Sequence, residues 1–292
     1  MVLWMCPAQQ LFGIYIVLHI VAFSDQHNMD KEASEVRRNV FSFLGDFFKG
    51  VYDLSLFTLR FFKEAFVPPF EWKETINQCY EVGCKTLPLI TLTGFITGIV
   101  FTKQSRPSLS EFGAVSWLPS LVAIAIIRAL APLVTALIMA GKVGSNIGAE
   151  LGSMKVSEQI DAMEMTATHP YKFLVVTRVI ACTFMLTLLV LYSAFVGMLG
   201  AYLNVHQNEA TSLPAFMHAA FEKISFLDIF SSFIKSALYG FTVGIISCYQ
   251  GWNASNGTVG VGKAANQAVV LSMFVIFLEE TVVVQFVNSF LR

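Results

Sequence analysis

Five long apolar runs dominate the pattern of hydrophobic and polar positions along the chain. They cover approximately residues 84–102, 117–140, 174–203, 227–249 and 267–290. Each is near the ~20 residues that an α-helix needs to cross a bilayer. The pattern therefore predicts five transmembrane helices, joined by segments too short to fold as soluble domains.

A Phe-rich stretch at residues 40–66 has a different pattern. Its polar positions recur close to the helical period, at Ser42, Asp46, Lys49, Asp53, Arg60 and Lys63. This spacing predicts an amphipathic helix in the membrane interface, with its charges toward water. The alternative is an amphipathic helix packed on a soluble domain, but the sequence offers no such domain.

Residues 1–37 are treated as an N-terminal extension, separate from residues 38–292. Their first 23 residues are apolar but irregular, and no basic segment precedes them, so they do not favour a signal peptide. Two interpretations stay open. The segment is an additional membrane helix, or it is translated upstream of a natural start at Met29.

Composition agrees with a polytopic membrane protein. Of 292 residues, 55% are hydrophobic and only 13% are charged, against about 25% in soluble chains. We therefore expect an all-α integral membrane fold, an interfacial helix followed by five spans. The net charge of −1 gives no indication of nucleic-acid binding. The five Cys form no C-x-x-C and the five His no H-x-x-x-H, so neither a metal site nor a cofactor is predicted.

The distribution of Lys and Arg predicts the orientation. Eight lie between Lys31 and Lys85, four between spans two and three, and Lys263 precedes the last span. These thirteen basic residues lie on one side of the predicted membrane, and only four lie on the opposite side. By the positive-inside rule the N-terminal region and the 141–178 loop are cytoplasmic.

Small residues at four-residue spacing are typical of closely packed membrane helices. The candidates for helix packing are Gly94, Gly98, Gly144, Gly148, Gly152, Gly240 and Gly244. The alternative is that glycine is simply common in such helices, although the triple repeat at 144, 148 and 152 argues against chance.

Four charges fall inside predicted spans and away from their ends: Arg128, Lys235, Glu279 and Glu280. A charge at the bilayer centre costs about 2.5–3.5 kcal/mol on insertion scales, so such groups normally have partners. Our hypothesis is that Arg128 or Lys235 pairs with one of the glutamates. Alternatively, Lys235 extends to the outer interface, or Arg128 meets a lipid phosphate in a central cavity.

Residues 257–264 read GTVGVGKA, which is close to the P-loop pattern G-x-x-x-x-G-K-[ST]. Ala264 replaces the hydroxyl residue that binds Mg²⁺, and the flanking runs are too long and apolar for strands. We interpret the segment as a glycine-rich loop between two membrane helices.

The longest cytoplasmic connection, residues 141–181, carries a patterned polar segment. Ser157 is a candidate cap for a short helix with an apolar stripe of Ile160, Met163 and Ala167, stopped by Pro170. Such a helix either binds in a groove of a partner or lies on lipid headgroups.

This connection resembles the MlaE/YrbE permeases, the membrane subunits of lipid ABC transporters that work with MCE-domain proteins. The matching positions are Gly141, Lys142, Gly144, Ala149, Glu150, Leu151, Gly152, Met154, Glu158, Gln159, Ile160, Ala162, Met163, Glu164, Pro170 and Arg178. The resemblance extends over residues 38–290. One departure is the sequence RALAP, with Ala129 where the family often has an acid after Arg128; this leaves the preference for a lipid headgroup open.

The resemblance implies a non-catalytic permease subunit in the cell inner membrane, with a plastid inner envelope as the second candidate. It implies a separate ATPase subunit, an MCE-domain substrate-binding protein, a second copy of the chain and a lipid substrate. The implied ATPase-coupling helix comprises Ser157, Glu158, Gln159, Ile160, Asp161, Ala162, Met163, Glu164 and Met165. Two other functional classes are possible. An intramembrane lipid-modifying enzyme would need a motif such as H-E-x-x-H or G-x-S-x-G, and neither occurs. A secondary transporter or channel would more often show inverted repeats, and the sequence has no internal repeat.

Overall fold

The computed structural model describes residues 45, 48–68, 70–166, 169–209 and 211–290. The predicted extension at residues 1–37 and the first residues of the predicted 40–66 helix lie outside this part of the chain. Contacts divide the chain into two compact units, residues 1–56 and residues 57–292. Residues 48–65 are helical (α1), and the boundary between the units falls inside this helix.

The remaining elements are all helical, and the described ranges contain no strand. The α-helices are α2 (Trp72–Gly83), α3 (Leu87–Glu111), α4 (Leu118–Ala125), α5 (Ala131–Met139), α6 (Ser145–Val156), α7 (Gln159–Met165), α8 (Thr177–Glu209), α9 (Leu213–Phe221), α10 (Phe226–Trp252) and α11 (Thr258–Phe290). Three π-helical segments, Ile126–Leu130, Ala140–Gly144 and Tyr171–Val176, continue directly into α5, α6 and α8.

Five helical segments are long and apolar enough to cross a membrane, which confirms the predicted fold class. They are Leu87–Glu111, Val115–Val156, Tyr171–Asn208, Phe226–Trp252 and Thr258–Phe286. Helices α8 and α10 lie at the centre: α3 packs along α8, α8 along α10, and α10 along α11, while α6 fits between α10 and α11. The outermost span, α11, is therefore the least covered by the rest of the chain.

The second span is much longer than the predicted 117–140. The helix that begins at Val115 runs for 42 residues to Val156, so most of the expected cytoplasmic loop at 141–178 is helical. At 1.5 Å per residue it is roughly 60 Å long, about twice the thickness of the hydrocarbon core. One end of this span therefore extends well beyond the membrane.

The last span also begins earlier than expected, at Thr258 instead of residue 267. The prediction of a glycine-rich loop at residues 257–264 is wrong, because only Gly257 of this segment lies outside the helix. Gly257 has a φ of +88°. The small residues serve packing instead: a Cβ added to Gly148 of α6 would lie 3.1 Å from Ala268 Cβ and 3.3 Å from the backbone oxygen of Ala264. The first span begins three residues later than predicted, at Leu87, and ends nine residues later, at Glu111. The third span exceeds its predicted bounds at both ends, and the fourth runs three residues beyond residue 249.

The other glycines of the predicted packing set lie at close helix crossings. Gly94 and Gly98 of α3 face Ser193 and Gly197 of α8. Gly240 of α10 approaches α8 so closely that an added Cβ would lie 2.7 Å from the backbone oxygen of Cys182. Gly244 meets Val179 one turn further along α8, and Gly144 and Gly152 face α10 and α11.

Candidate functional site

A short helix, α7, projects from the end of the long second span. It covers Gln159–Met165, close to the predicted 157–165 segment. Ser157 does not cap it, since its hydroxyl donates to the backbone oxygen of Ser153 at 2.7 Å in the preceding helix. The N-cap is Glu158, which adopts the left-handed conformation with φ of +58° and makes no side-chain cap. That conformation is uncommon for a residue with a side chain and produces a sharp turn between α6 and α7.

The apolar residues of α7 do not form the exposed stripe that the sequence suggested. Ile160 is only 1% exposed and anchors the helix to its own chain, whereas Met165 is 90% exposed. Met163 is half-buried, and Ala167 lies outside the described residues. A partner would therefore contact Met165 and the exposed polar side chains of α7, with Ile160 holding the helix in place.

An ion pair joins α7 to α6. Lys155 Nζ of α6 lies 3.0 Å from Asp161 Oδ1 of α7. Both side chains are partly exposed, so the pair contributes at most about 1 kcal/mol. Together with buried Ile160, it makes α7 an extension of the second span instead of a free loop.

A second ion pair joins the same part of α6 to the third span. Arg178 Nη2 lies 2.8 Å from Glu150 Oε1, and Arg178 Nη1 donates to the backbone oxygen of Leu174 at 2.9 Å. The Arg178 side chain is buried while Glu150 is half exposed. Both residues belong to the pattern that resembles the MlaE/YrbE permeases, and their pairing fixes α6 against α8.

A polar cluster lies inside the bundle, where α10, α11 and the π-helical segment Ile126–Leu130 meet. Lys235 of α10 is 3% exposed, and its Nζ lies 2.7 Å from Glu280 Oε1 of α11. Tyr239, one turn along α10, donates its hydroxyl to Glu280 Oε2. The predicted pairing of a buried cation with a glutamate is thus observed for Lys235, and the alternative in which Lys235 extends to the outer interface is wrong.

Pro132 explains a further contact of Lys235. Proline has no N–H, so the α-helical bond from residue 132 to the backbone oxygen of Arg128 cannot form. The helix widens into the π-helical segment Ile126–Leu130, and the freed Arg128 oxygen accepts a hydrogen bond from Lys235 Nζ at 3.3 Å. A side chain from a neighbouring helix thus satisfies a backbone group that lipid could not.

Arg128 itself pairs with neither glutamate. Its Nε lies 3.1 Å from Asp228 Oδ1 in the first turn of α10, an ion pair without a well-aligned hydrogen bond to that oxygen. The other oxygen of Asp228 accepts from the backbone N–H of Ser225 at 3.1 Å and completes a capping box. The sequence did not single out Asp228 as a partner of Arg128, because Asp228 lay at the edge of a predicted span, where charges are ordinary.

Glu279 is held differently from Glu280. Its Oε1 accepts from Thr242 Oγ1 at 2.5 Å, while its buried Oε2 has no hydrogen-bond partner. The cluster therefore contains two cations, three carboxylates and a tyrosine, contributed by the π-helical segment Ile126–Leu130, by α10 and by α11. These groups can hold or orient a polar ligand group.

The described cysteines form neither a disulfide nor a metal site. Within the described ranges, no group of three His, Cys, Asp or Glu residues could hold a metal ion. Cys79, Cys84, Cys182 and Cys248 are free thiols. Partial burial raises the pKa of Cys79, which lies on α2 outside the spans, above its ordinary value.

Comparison with known proteins matches this architecture to one family. The family model described as Permease MlaE matches residues 75–286. A probable ABC transporter permease protein of Rickettsia felis is 34% identical over 240 residues, covering 82% of this chain and 92% of the relative. A probable ABC transporter permease protein of Synechocystis sp. is 35% identical over 206 residues, covering 70% and 78%.

A plant protein is similar to much the same region. Protein TRIGALACTOSYLDIACYLGLYCEROL 1, chloroplastic, of Arabidopsis thaliana is 34% identical over 215 residues, covering 74% of this chain and 61% of the relative. The five apolar spans and the extent of these matches lead to one assignment: the chain is a multi-pass ABC transporter permease that belongs to the MlaE permease family.

Proposed function

We propose that this permease moves phospholipid or a related lipid between membranes and that a separate ATPase subunit drives it. The observation that carries the proposal is the build of α7. Ile160 fixes the helix to its own protein, while Met165 and acidic Asp161 and Glu164 face outward. An exposed methionine on a short rigid helix is suited to binding in a groove of a partner.

The coupling path runs from α7 into the membrane. α7 is joined to α6 by Ile160 and by the Lys155–Asp161 ion pair, and α6 continues without a break into the span that holds Arg128. A displacement of α7 by the ATPase would therefore shift this span relative to α10 and α11. ATP binding then acts as a population shift between two arrangements of the spans.

A lipid substrate is supported by the buried polar cluster and by one relative. The cluster of Arg128, Asp228, Lys235 and Glu280 lies inside an otherwise apolar bundle, and such charges commonly mark a transport route. The Arabidopsis relative is named after trigalactosyldiacylglycerol, a galactolipid. No chemical step is assigned to the permease itself.

The assembly that we propose contains two copies of the chain and an MCE-domain substrate-binding protein. Only 11% of the most apolar stretch of α11 is buried within the chain. This leaves a long apolar face of α11 for a second copy and for lipid. We place the protein in the cell inner membrane, with α7 and the N-terminal region in the cytoplasm. The plastid inner envelope is the second candidate, because the Arabidopsis relative is named as chloroplastic.

A pull-down tests the proposal. The tagged full chain is purified in mild detergent, and the eluate is assayed for ATP hydrolysis and for a co-purifying ATPase. Met165→Asp is the test variant, since Met165 is 90% exposed and its replacement should therefore leave the fold intact. Val259→Asp is the matched control, an equally exposed apolar residue at the start of α11.

The expected result is an ATPase that co-purifies with the parent and with Val259→Asp and is lost from Met165→Asp. Retention of the ATPase by Met165→Asp would contradict the assignment of α7 as the coupling helix. A parent that purifies without ATPase would contradict the ATPase-driven mechanism and favour a secondary transporter, a channel or an intramembrane enzyme.

A further inference from the structure

A recess of about 290 Å³ opens between the third span, α8, and the short helix α9 that follows it. Neither Lys235 nor Glu280 lines it, and all of its walls belong to a single copy of the chain. Its walls come from α8, α9, the first turns of α10 and the π-helical segment that holds Arg128. The principal lining residues are Ile127, Val190, Ala194, Met198, Met217 and Ser232.

The lining is apolar, and the recess opens toward the surroundings of the bundle. Val190 and Met198 are buried and form its base, while Phe195, Phe221 and Ile229 are exposed and form its rim. Phe195 and Ile229 belong to helices long and apolar enough to cross a membrane, and Phe221 ends the short helix α9 between them. We therefore infer that the rim faces hydrocarbon. An apolar ligand could enter sideways without crossing water.

The volume limits what can bind. A cavity of about 150 Å³ with aliphatic and aromatic walls binds benzene, and drug-sized ligands occupy about 300–1,000 Å³. A recess of 290 Å³ therefore holds a segment of one acyl chain and not a whole phospholipid. Ser232 is its single polar lining residue, so a charged headgroup would remain outside.

The recess is adjacent to the ion pair between Arg128 and Asp228. Ile127 and Ile229, which line it, are the chain neighbours of Arg128 and Asp228. The 3.1 Å ion pair between those residues balances their charges, so an acyl chain can lie beside them without facing an unpaired charge. The rim thus combines a bilayer-facing entrance with a fixed polar edge.

We propose that this recess binds one acyl chain of a bilayer phospholipid within each copy of the permease. The proposal deepens the proposed lipid transport, on which its physiological meaning rests, by giving the lipid a first binding site outside any cavity between two copies. Capture of one chain would hold the lipid against the Arg128–Asp228 edge before the remainder of the molecule follows.

Photolabelling tests the proposal on the full chain in phosphatidylethanolamine–phosphatidylglycerol nanodiscs. The probe is a phosphatidylethanolamine with a diazirine near the end of one acyl chain, and adducts are located by mass spectrometry after digestion. Ala194→Trp fills the recess with a larger side chain. Leu188→Trp is the matched control, because Leu188 is exposed on the same helix but does not line the recess.

We expect adducts to concentrate on the lining residues of α8 and α9, with Leu188→Trp unchanged. Ala194→Trp should lower these adducts by about tenfold or more, since excluding even two methylene groups from an apolar site costs about that factor in affinity. A thermal-unfolding midpoint equal to that of the parent shows that the variant is folded. Should Ala194→Trp not fold, Ala194→Phe and Met198→Phe replace it with smaller additions.

Labelling spread evenly over the exposed apolar face of α8, or unaffected by filling the recess, would overturn the proposal. So would labelling by a free diazirine fatty acid but not by the phospholipid. Failure of this site with retained ATP-driven lipid movement would leave the proposed function standing. Concentrated labelling without any co-purifying ATPase would leave the site standing while the proposed function fails.

Discussion

Replacing Lys235 with Met would remove the central cation of the buried polar cluster. The change leaves Glu280 Oε1 without its 2.7 Å partner and the backbone oxygen of Arg128 without its 3.3 Å donor. Lys235 is 3% exposed and Glu280 only 16%, so water cannot replace the lost contacts. Removing one partner of a buried ion pair costs about 3–5 kcal/mol.

The thermal-unfolding midpoint in detergent measures this effect. At about 2–4 °C per kcal/mol for a chain somewhat shorter than this one, Lys235→Met should lower the midpoint by roughly 6–20 °C. The double variant with Glu280→Gln should recover much of the loss, because no buried carboxylate is then left unpaired. Lys85→Met is the control: its pair with Glu81 is exposed and contributes at most about 1 kcal/mol. A midpoint for Lys235→Met that equals the Lys85→Met value would refute the reasoning.

Three further predictions concern packing, orientation and reactivity. Gly240→Ala should destabilise the protein by about 1–3 kcal/mol and so lower the thermal-unfolding midpoint, because the new Cβ would meet the backbone of α8. Gly262→Ala should leave the midpoint unchanged, because nothing lies within 4 Å of an added Cβ there. Equal midpoints for the two variants would contradict the close crossing. A membrane-impermeant maleimide should label exposed Cys84 in inverted vesicles and not in intact cells, and should leave buried Cys182 unlabelled in both. Since the thiolate is the reactive form and burial raises the pKa of Cys79, labelling of Cys79 should be slow at neutral pH and accelerate as the pH rises; a rate independent of pH would oppose this.

Hydropathy predicted the number and kind of spans because a membrane helix needs a continuous apolar run, which is local in sequence. Their ends were harder to predict. The second span continues to Val156 through a segment rich in polar and small residues. Gly148 and Gly152 of that segment pack against α11. This contact between distant parts of the chain stabilises the helix, and local hydropathy gives no sign of it.

The partners of the buried charges were only partly predictable. Lys235 and Glu280 lie in spans that the sequence identified, so their pairing was a reasonable hypothesis. Asp228 was missed because it stands in the first turn of α10, where an acid is ordinarily a helix cap. The available signal was Arg128 itself, because a cation inside a predicted span normally has an acidic partner.

The orientation of α7 was also beyond sequence pattern. Seven helical residues allow several choices of buried side, and the sequence placed Ile160 on the partner-facing stripe. Because Ile160 is buried against the same chain, we propose exposed Met165 for the contact with a partner instead. A disruptive test at Ile160 would therefore unfold α7 before it reported on any partner.

The most direct test of lipid transport driven by an ATPase is a lipid-transfer measurement with the reconstituted complex. The chain and its co-purified ATPase are placed in proteoliposomes that carry a fluorescent phospholipid, and movement of that lipid to an acceptor is followed with ATP or with a non-hydrolysable analogue. We predict movement that requires ATP hydrolysis and is lost with Met165→Asp but not with Val259→Asp. ATP hydrolysis without any ATP-dependent movement of lipid would contradict the account.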